Sequence, residues 1–340
     1  MHAPPAISVV MPAFNAQATI ERAIASITAQ SFSDWELIIV NDGSSDDTLA
    51  IARQCAAADS RIRVLNEPHR GVVGASNAGF AASRAPVIAR MDADDQSTPN
   101  RLADQYTWLA DHPHHHAVSG QVEFAGCRES AAGYGAHVDW TNQLVTPEQI
   151  AHNRFVDLPF PHPSLMYRRT LVEQFGGYRD GEFPEDYELM LRWFDNGMLV
   201  GKVPHPVLLW NDPPTRLSRN DPRYAMPEFH RCKAPFLANA IVRSAAGGRP
   251  LWIWGAGRPA RKNARLLEAA YQVAAGFIDI DPRKIGRSLA GRPIISADTL
   301  PPIEESVIVS YVGNRGAGQI IRDQLLATGR TEGTDFWIAA

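Results

Sequence analysis

Three carboxylates, Asp92, Asp94 and Asp95, stand close together in the segment RMDADDQSTP (90–99), directly after the apolar run APVIA. Adjacent carboxylates repel one another, so such a cluster either spreads into solvent or holds a cation. An Asp-x-Asp-Asp loop offers hard oxygen ligands suited to Mg2+ or Mn2+, with coordination positions left for phosphate oxygens. A calcium loop of the EF-hand type would need glycine at its sixth position and glutamate at its twelfth. Counted from Asp92, this chain has Ser97 and Ala103 there. The competing reading is a solvated turn that caps a helix beginning near Pro99.

The elements around the cluster decide what it can meet. AISVVMPAFN holds a β-branched run that stops at Pro12, as expected of a buried parallel strand feeding a loop. In QATIERAIASITAQ (17–30), Ile20, Ala23, Ile24 and Ile27 fall at helical spacing. WELIIV (35–40) reads as a second strand, broken by NDGSSDDT, whose Asp, Gly and Ser supply a turn and a helix N-cap. Helix 47–58, strand 62–66, helix 74–83 and strand 85–92 continue the alternation, which predicts an α/β fold built on a doubly wound parallel sheet. Ligands of such sheets sit outside the carboxyl ends of the strands. The loops PAFN, NDGSSD and MDADD all leave carboxyl ends, which gathers Asn15, Asp42, Asp92 and Asp94 at one rim.

Over residues 112–222 the alternation becomes irregular, with strands expected at 117–124, 135–140, 164–168 and 206–210 and helices near 146–153 and 184–196. This is a mixed extension suited to holding a second substrate. A helical stretch, 224–245, leads to AAGGRP, whose small residues and proline mark a boundary. The expected organisation is a first domain over 1–222, a helical linker over 223–247 and a small α/β domain over 248–340.

The chain of 340 residues has a formal net charge of -4, no basic excess that would hold nucleic acid. Cys55, Cys127 and Cys232 are odd in number and form no CxxC pair, so neither a disulfide framework nor a zinc site is indicated. MHAPPA lacks the basic and apolar regions of a signal peptide, and no run approaches the roughly 18 apolar residues of a membrane span. A cytosolic protein is expected, one able to visit a membrane through a partner.

The segments SVVMPAFNAQATIERAIASITAQSFSDWELIIVNDGSSDDT, NAGFAASRAPVIARMDADD and GGYRDGEFPEDYELMLRW, in that order, resemble the inverting nucleotide-sugar glycosyltransferases of family 2, whose fold is GT-A; the likeness covers residues 6–220. It implies that Pro12, Phe14 and Asn15 lie beside the nucleotide base and that Asp42 accepts a hydrogen bond from the base imide. An ionised carboxylate accepts without donating, which favours the N–H of uracil or thymine over the bare N3 of cytosine. A UDP-sugar is therefore the expected donor. Asn41 stands where the family often has a second Asp. Asn77 matches a helical asparagine that faces the donor or fixes its helix.

Asp92 and Asp94 correspond to the family's DXD pair, one on ribose or metal-bound water and the other on the Mn2+ or Mg2+ that bridges the diphosphate. Asp95 is left as an outer residue or a helix cap. An attacking acceptor hydroxyl must lose a proton, and Asp186 matches the family's catalytic Asp, with Glu185 as its orienting neighbour. The alternative is that both acids merely complement a helix dipole. The implied reaction inverts the anomeric centre and delivers the sugar to a saccharide or lipid-linked acceptor, in surface polysaccharide assembly, in the cytoplasm or at the inner face of the membrane. Processive synthases of the family carry a QxxRW motif and membrane helices; LMLRW lacks the glutamine and lies too close to Asp186, so a single transfer is expected. The rival from another class is a nucleotide-sugar sensor or scaffold with a vestigial transferase site.

Weaker signals complete the sequence. His162 in PFPHPS is read as a loop histidine or a lining of the acceptor pocket, and the run HPHHH (112–116) as a solvated turn. Arg216 and Arg219 could meet phosphates or form surface ion pairs. Trp140 and Trp210 could stack on sugars, whereas Trp193 follows a core pattern. Gly255, Gly257 and Ala260, followed by Asp279 and Asp281 at the next strand's end, have the context of a dinucleotide turn. No hydride-transfer motif accompanies them, so the small domain is read as Rossmann-like, with a docking or structural role favoured.

Overall fold

The computed structural model describes residues 3–129, 131–213 and 216–340. The chain divides into two compact units, one of Met1–Ile150, Pro159–Gly181 and Arg192–Asp221, the other of Ala151–Leu158, Glu182–Leu191 and Pro222–Ala340.

The first unit is built on a mixed sheet of β1 (Ile7–Ala13), β2 (Trp35–Asp42), β3 (Ile62–Glu67), β4 (Val87–Arg90), β5 (Gln96–Ser97), β6 (Ala117–Phe124), β7 (Met166–Arg168) and β8 (Val200–Trp210), in the order β3-β2-β1-β4-β7-β6-β8-β5. The first four are mutually parallel, and β7 runs against both β4 and β6. All eight positions of β2 are buried, as they must be in a parallel strand covered on both faces. On one face Val9, Met11, Leu37 and Ile39 meet Ile20, Ala23, Ile24 and Ile27 of the helix Ile20–Thr28. On the other, Ile38 and Val40 pack with Ala75 of the helix Gly71–Ala82. That helix lies so close that a Cβ on Gly79 would come 2.4 Å from Val10 Cγ1. The register pairs Ala13 with Asn41 and Val10 with Arg90, so the loops after β1, β2 and β4 emerge at one rim.

The expected strand at 135–140 is instead part of the helix Ala132–Gln143. Gly135, Val138 and Thr141, buried at intervals of three, suit a helical face. Asn142 then caps the open edge of β6, its Oδ1 accepting from Val122 N–H at 3.0 Å and its Nδ2 donating to Val122 C=O at 2.9 Å.

The second unit carries a sheet of β9 (Leu251–Trp254), β10 (Gly276–Asp279), β11 (Ser288–Leu289), β12 (Arg292–Ser296), β13 (Val307–Ser310) and β14 (Phe336–Ile338), ordered β11-β12-β10-β9-β13-β14. All neighbours are parallel except β11 with β12. Without the short β11, the first strand lies in the middle and the sheet grows outward on both sides, a Rossmann-like winding. Gly255 turns the chain between β9 and the helix Arg258–Ala270 at φ +117°, and a Cβ there would meet that of Ala260 at 2.8 Å. Among the described residues no helix is long and apolar enough to cross a membrane.

Candidate active site

The loops after β1 and β2 are laced together. Asn15, at φ 48°, accepts from Ser45 N–H at 2.9 Å through its side chain and donates its backbone N–H to Ser44 Oγ at 3.0 Å. Ala16 N–H meets Thr48 Oγ1 at 2.7 Å, and Gln17 N–H meets Asp46 Oδ2 at 3.1 Å. Pro12 lies half-buried within β1, and Phe14 projects with 49% of its surface exposed. The Phe14 ring stacks on His69, centroids 4.3 Å apart. His69 Nδ1 is in turn 2.9 Å from Asp42 Oδ2, and Arg70 N–H donates to Asp42 Oδ1 at 2.7 Å. Gly43 permits this closeness: it sits at φ +68°, and a Cβ there would lie 2.8 Å from His69 N. Phe14, Asp42 and His69 thus form one corner with an exposed aromatic face and a buried, oriented carboxylate.

Across the rim, Asp92, Asp94 and Asp95 each offer a carboxylate oxygen within 4.8 Å of the others. Their electrostatics differ. Asp92 Oδ1 is 2.6 Å from the Arg90 guanidinium. Burial alone would raise Asp92, but Arg90, with Arg216 behind it, holds it below the usual carboxylate range. Asp94 is pushed up to about 6 by burial and by Asp92. Asp95, also buried and facing both other acids, is raised well above the ordinary value. Asn211 fastens the loop, its N–H donating to Asp95 Oδ1 and its Nδ2 to Asp94 C=O, both at 2.8 Å. Asp95 Oδ2 is buried without a hydrogen-bond partner among the described residues. An all-oxygen donor set with an orphaned buried carboxylate oxygen and two acids short of positive charge fits a hard divalent cation.

Arg90, only 3% exposed, also donates to Met91 C=O at 2.5 Å and to Tyr178. The Tyr178 hydroxyl lies 2.7 Å from His162 Nε2. Burial, with Arg90 nearby, pushes His162 down to about 3, so it is a neutral partner to Tyr178. Asn77 grips the Tyr178 backbone at both ends of its amide, donating to C=O and accepting from N–H at 2.9 Å each. Behind the acid loop, Arg101 is fully buried and donates to Arg90 C=O at 2.6 Å and to Pro163 C=O at 2.7 Å.

Asp186 and Glu185 belong to the second unit, in the first turn of the helix Glu185–Asp195. Tyr187 N–H donates to Asp186 Oδ1 at 2.7 Å. Glu185 is buried, and the Tyr224 hydroxyl lies 2.6 Å from each of its carboxylate oxygens.

Other sequence signals resolve into packing. His112 stacks on Trp108 at 3.9 Å, and His116 Nδ1 accepts from Leu199 N–H at 3.1 Å. Trp193 is fully buried. The Arg216 guanidinium lies 4.0 Å from the Trp210 ring centroid and donates to Asn211 C=O at 3.2 Å, while Arg219 pairs with Asp212. In the glycine turn of the second unit, Asp279 accepts from Ala256 N–H at 2.9 Å and from Lys284 Nζ at 3.0 Å.

Sequence reasoning missed Arg90, His69, Arg101 and Asn211. A cation ending an otherwise apolar strand was a signal for Arg90, and EPHRG leaves a carboxyl strand end, as every site loop does. Nothing local marked Arg101 or Asn211.

Residues 8–176 match the model of Glycosyl transferase family 2. The Escherichia coli protein WfgD, named UDP-Glc:alpha-D-GlcNAc-diphosphoundecaprenol beta-1,3-glucosyltransferase, is 36% identical over 196 residues, which span 54% of this chain and 68% of that one. S. aureus TarS 1-349, solved with UDP-GlcNAc, aligns with TM-score 0.56 and 15% identity over 78% of this chain and 71% of its own. The mannosyltransferase PcManGT from Pyrobaculum calidifontis, solved with GDP-Man and Mn2+, aligns with TM-score 0.50 and 21% identity over 70% of this chain and 63% of its own. The two structural likenesses are of fold.

Proposed function

The chain belongs to glycosyltransferase family 2, and we propose that it moves one sugar per encounter from a UDP-sugar to a hydroxyl of a saccharide or lipid-linked acceptor, with inversion and with Mn2+ or Mg2+, in surface polysaccharide assembly. The observation that carries this reading is the convergence of Asp92, Asp94 and Asp95 within 4.8 Å at the rim that also bears Asp42. WfgD by its name takes UDP-Glc, and TarS and PcManGT were each solved with a nucleotide sugar, the latter with Mn2+ as well; these support the substrate class.

Phe14 offers its exposed face to the base, and Asp42, its orientation held by Arg70 N–H and His69, accepts the imide proton. Arg90 keeps Asp92 ionised and aimed, ready to hydrogen-bond ribose or metal-bound water. Asp94, with Asp92 and Asp95 beside it, would hold the divalent ion. Offsetting the negative charge that grows on the departing diphosphate is the chemistry such an ion supplies. The Asp186 carboxylate takes the proton of the acceptor hydroxyl as that oxygen bonds to the anomeric carbon and the bond to UDP breaks. Attack opposite the leaving group turns an alpha-linked donor into a beta linkage.

The test is a donor-hydrolysis screen across UDP-, dTDP- and GDP-sugars, with and without Mn2+, reading released nucleoside diphosphate. Turnover of UDP-sugars that needs metal is expected. Activity with GDP-sugars alone would contradict the role of Asp42, and turnover unaffected by chelation the role of the acid loop.

A further inference from the structure

The overall negative charge conceals a local departure from it. Residues 248–340 hold 12 Lys and Arg against 9 Asp and Glu, in a chain whose formal net charge is -4. Between Arg249 and Glu268 there is no acid at all. In the helix Arg258–Ala270 the cations are Arg258, Arg261, Lys262 and Arg265, at the i, i+3, i+4, i+7 spacing that sets them on one face. Ala260, Ala264 and Leu267 bury another. Arg258, Lys262 and Arg265 are exposed and Arg261 is half-buried, and none of the four forms an ion pair among the described residues. The positive end of the helix dipole adds to their mutual repulsion.

Apolar surface lies at the same edge of the sheet. Ile278 of β10 pairs with Trp254 of β9, so the chain leaves both strands side by side. Ile280, next after β10, is 75% exposed. Arg283 and Arg287 follow, both exposed, the first paired with Asp281. We propose that this face of the second unit docks on an anionic phospholipid surface, with Arg258, Arg261, Lys262 and Arg265 meeting lipid phosphates and Ile280 entering the boundary of the acyl chains.

The chemistry of the face selects this occupant. Cations with an adjacent exposed aliphatic side chain suit an anionic bilayer, whereas a single-stranded nucleic acid would want rings to stack on. No Phe or Trp of the second unit is exposed among its described residues. A dinucleotide in the glycine turn is disfavoured because Asp279 already takes Ala256 N–H and the Lys284 ammonium. Attraction of this kind is reversible and sensitive to salt.

The experiment is co-sedimentation of the full chain with vesicles of phosphatidylcholine alone and of phosphatidylcholine with phosphatidylglycerol at three to one, at low and high salt. Binding to the phosphatidylglycerol vesicles only, lost at high salt, is expected. The variant Arg258→Gln/Lys262→Gln/Arg265→Gln should lower the partition coefficient on the order of 100-fold, and Ile280→Ser several-fold, while donor hydrolysis in vesicle-free solution stays unchanged in both. Equal binding to the two vesicle types, no binding to either, or full retention by the triple variant would overturn the proposal. So would tighter binding to a single-stranded oligonucleotide than to the vesicles. The measurement does not involve the donor, so it stands or falls apart from the transferase reading.

Discussion

Arg90 and Asp92 form an ion pair of 2.6 Å between a guanidinium that is almost fully buried and a carboxylate that is partly open. The pair divides the acid loop into one aspartate whose charge is already balanced and two, Asp94 and Asp95, whose charge is not. Arg90→Met should leave Asp92 facing its neighbours unpaired and cut Arg90's bond to Tyr178. A loss of about 2–3 kcal/mol in unfolding free energy is expected, below the full cost of breaking a buried pair because Asp92 reaches solvent. Urea unfolding measures it; a change under about 0.5 kcal/mol, the range of an ordinary surface substitution, would show that the pair has no structural weight.

If the acid loop holds a divalent ion as proposed, its unbalanced acids set the pH dependence of that binding. Asp94, raised to about 6 in the metal-free protein, must shed its proton to become a ligand. Its raised value means that affinity is level above that pH and falls below it, by about tenfold per pH unit for one displaced proton, and more steeply if Asp95 also releases one. Calorimetric titration with Mn2+ from pH 5 to 8 in the absence of donor should show this slope together with proton release. Asp94→Asn should remove most of the affinity. Binding that is flat across the range, or that survives Asp94→Asn, would take Asp94 out of the metal site.

Asn77 gives a third test, because its amide is already engaged at both ends by Tyr178. Asn77→Ala should loosen the turn that brings Tyr178 to Arg90, at a cost of about 1–3 kcal/mol for two lost bonds to backbone. Affinity for UDP should fall only modestly if the amide serves the Tyr178 turn, to which it gives one N–H and one oxygen lone pair. A large loss of UDP affinity with unchanged stability would restore the asparagine as a donor contact.

The parts of the site that were legible in sequence are those in which neighbours along the chain are also neighbours in space. Asp92, Asp94 and Asp95 are such a group, and the alternation of strand and helix sufficed to put their loop at the carboxyl edge with Asp42. What could not be read depends on where the chain turns back. The bond between Asn15 and Ser45 spans 30 residues and exists because β1 and β2 pair in parallel at one register. His69 reaches Asp42 because Gly43 lets two loops touch. The misread strand at 135–140 has a local cause: AHVDW mixes apolar and polar residues in a way that imitates a period of two. The period of three in Gly135, Val138 and Thr141 emerges only over a longer window.

Asp186 is the most consequential assignment and the most directly testable. A general base is needed because the acceptor hydroxyl is a poor nucleophile until its proton has somewhere to go, and a positioned carboxylate contributes about 10²–10⁴-fold to such a step. Asp186→Asn keeps the size of the side chain and an oxygen able to accept from Tyr187 N–H, now at 2.7 Å, so the first turn of the helix should hold. The amide cannot take the proton. Turnover with an acceptor should therefore fall by about 10²–10⁴-fold while UDP binding, measured by calorimetry, stays within about twofold of the parent, an energy difference below 0.5 kcal/mol. An Asp186→Asn enzyme with near-parental turnover would mean that another group accepts the proton. Equal losses of turnover and UDP affinity would instead mean that the carboxylate supports donor binding rather than the transfer step.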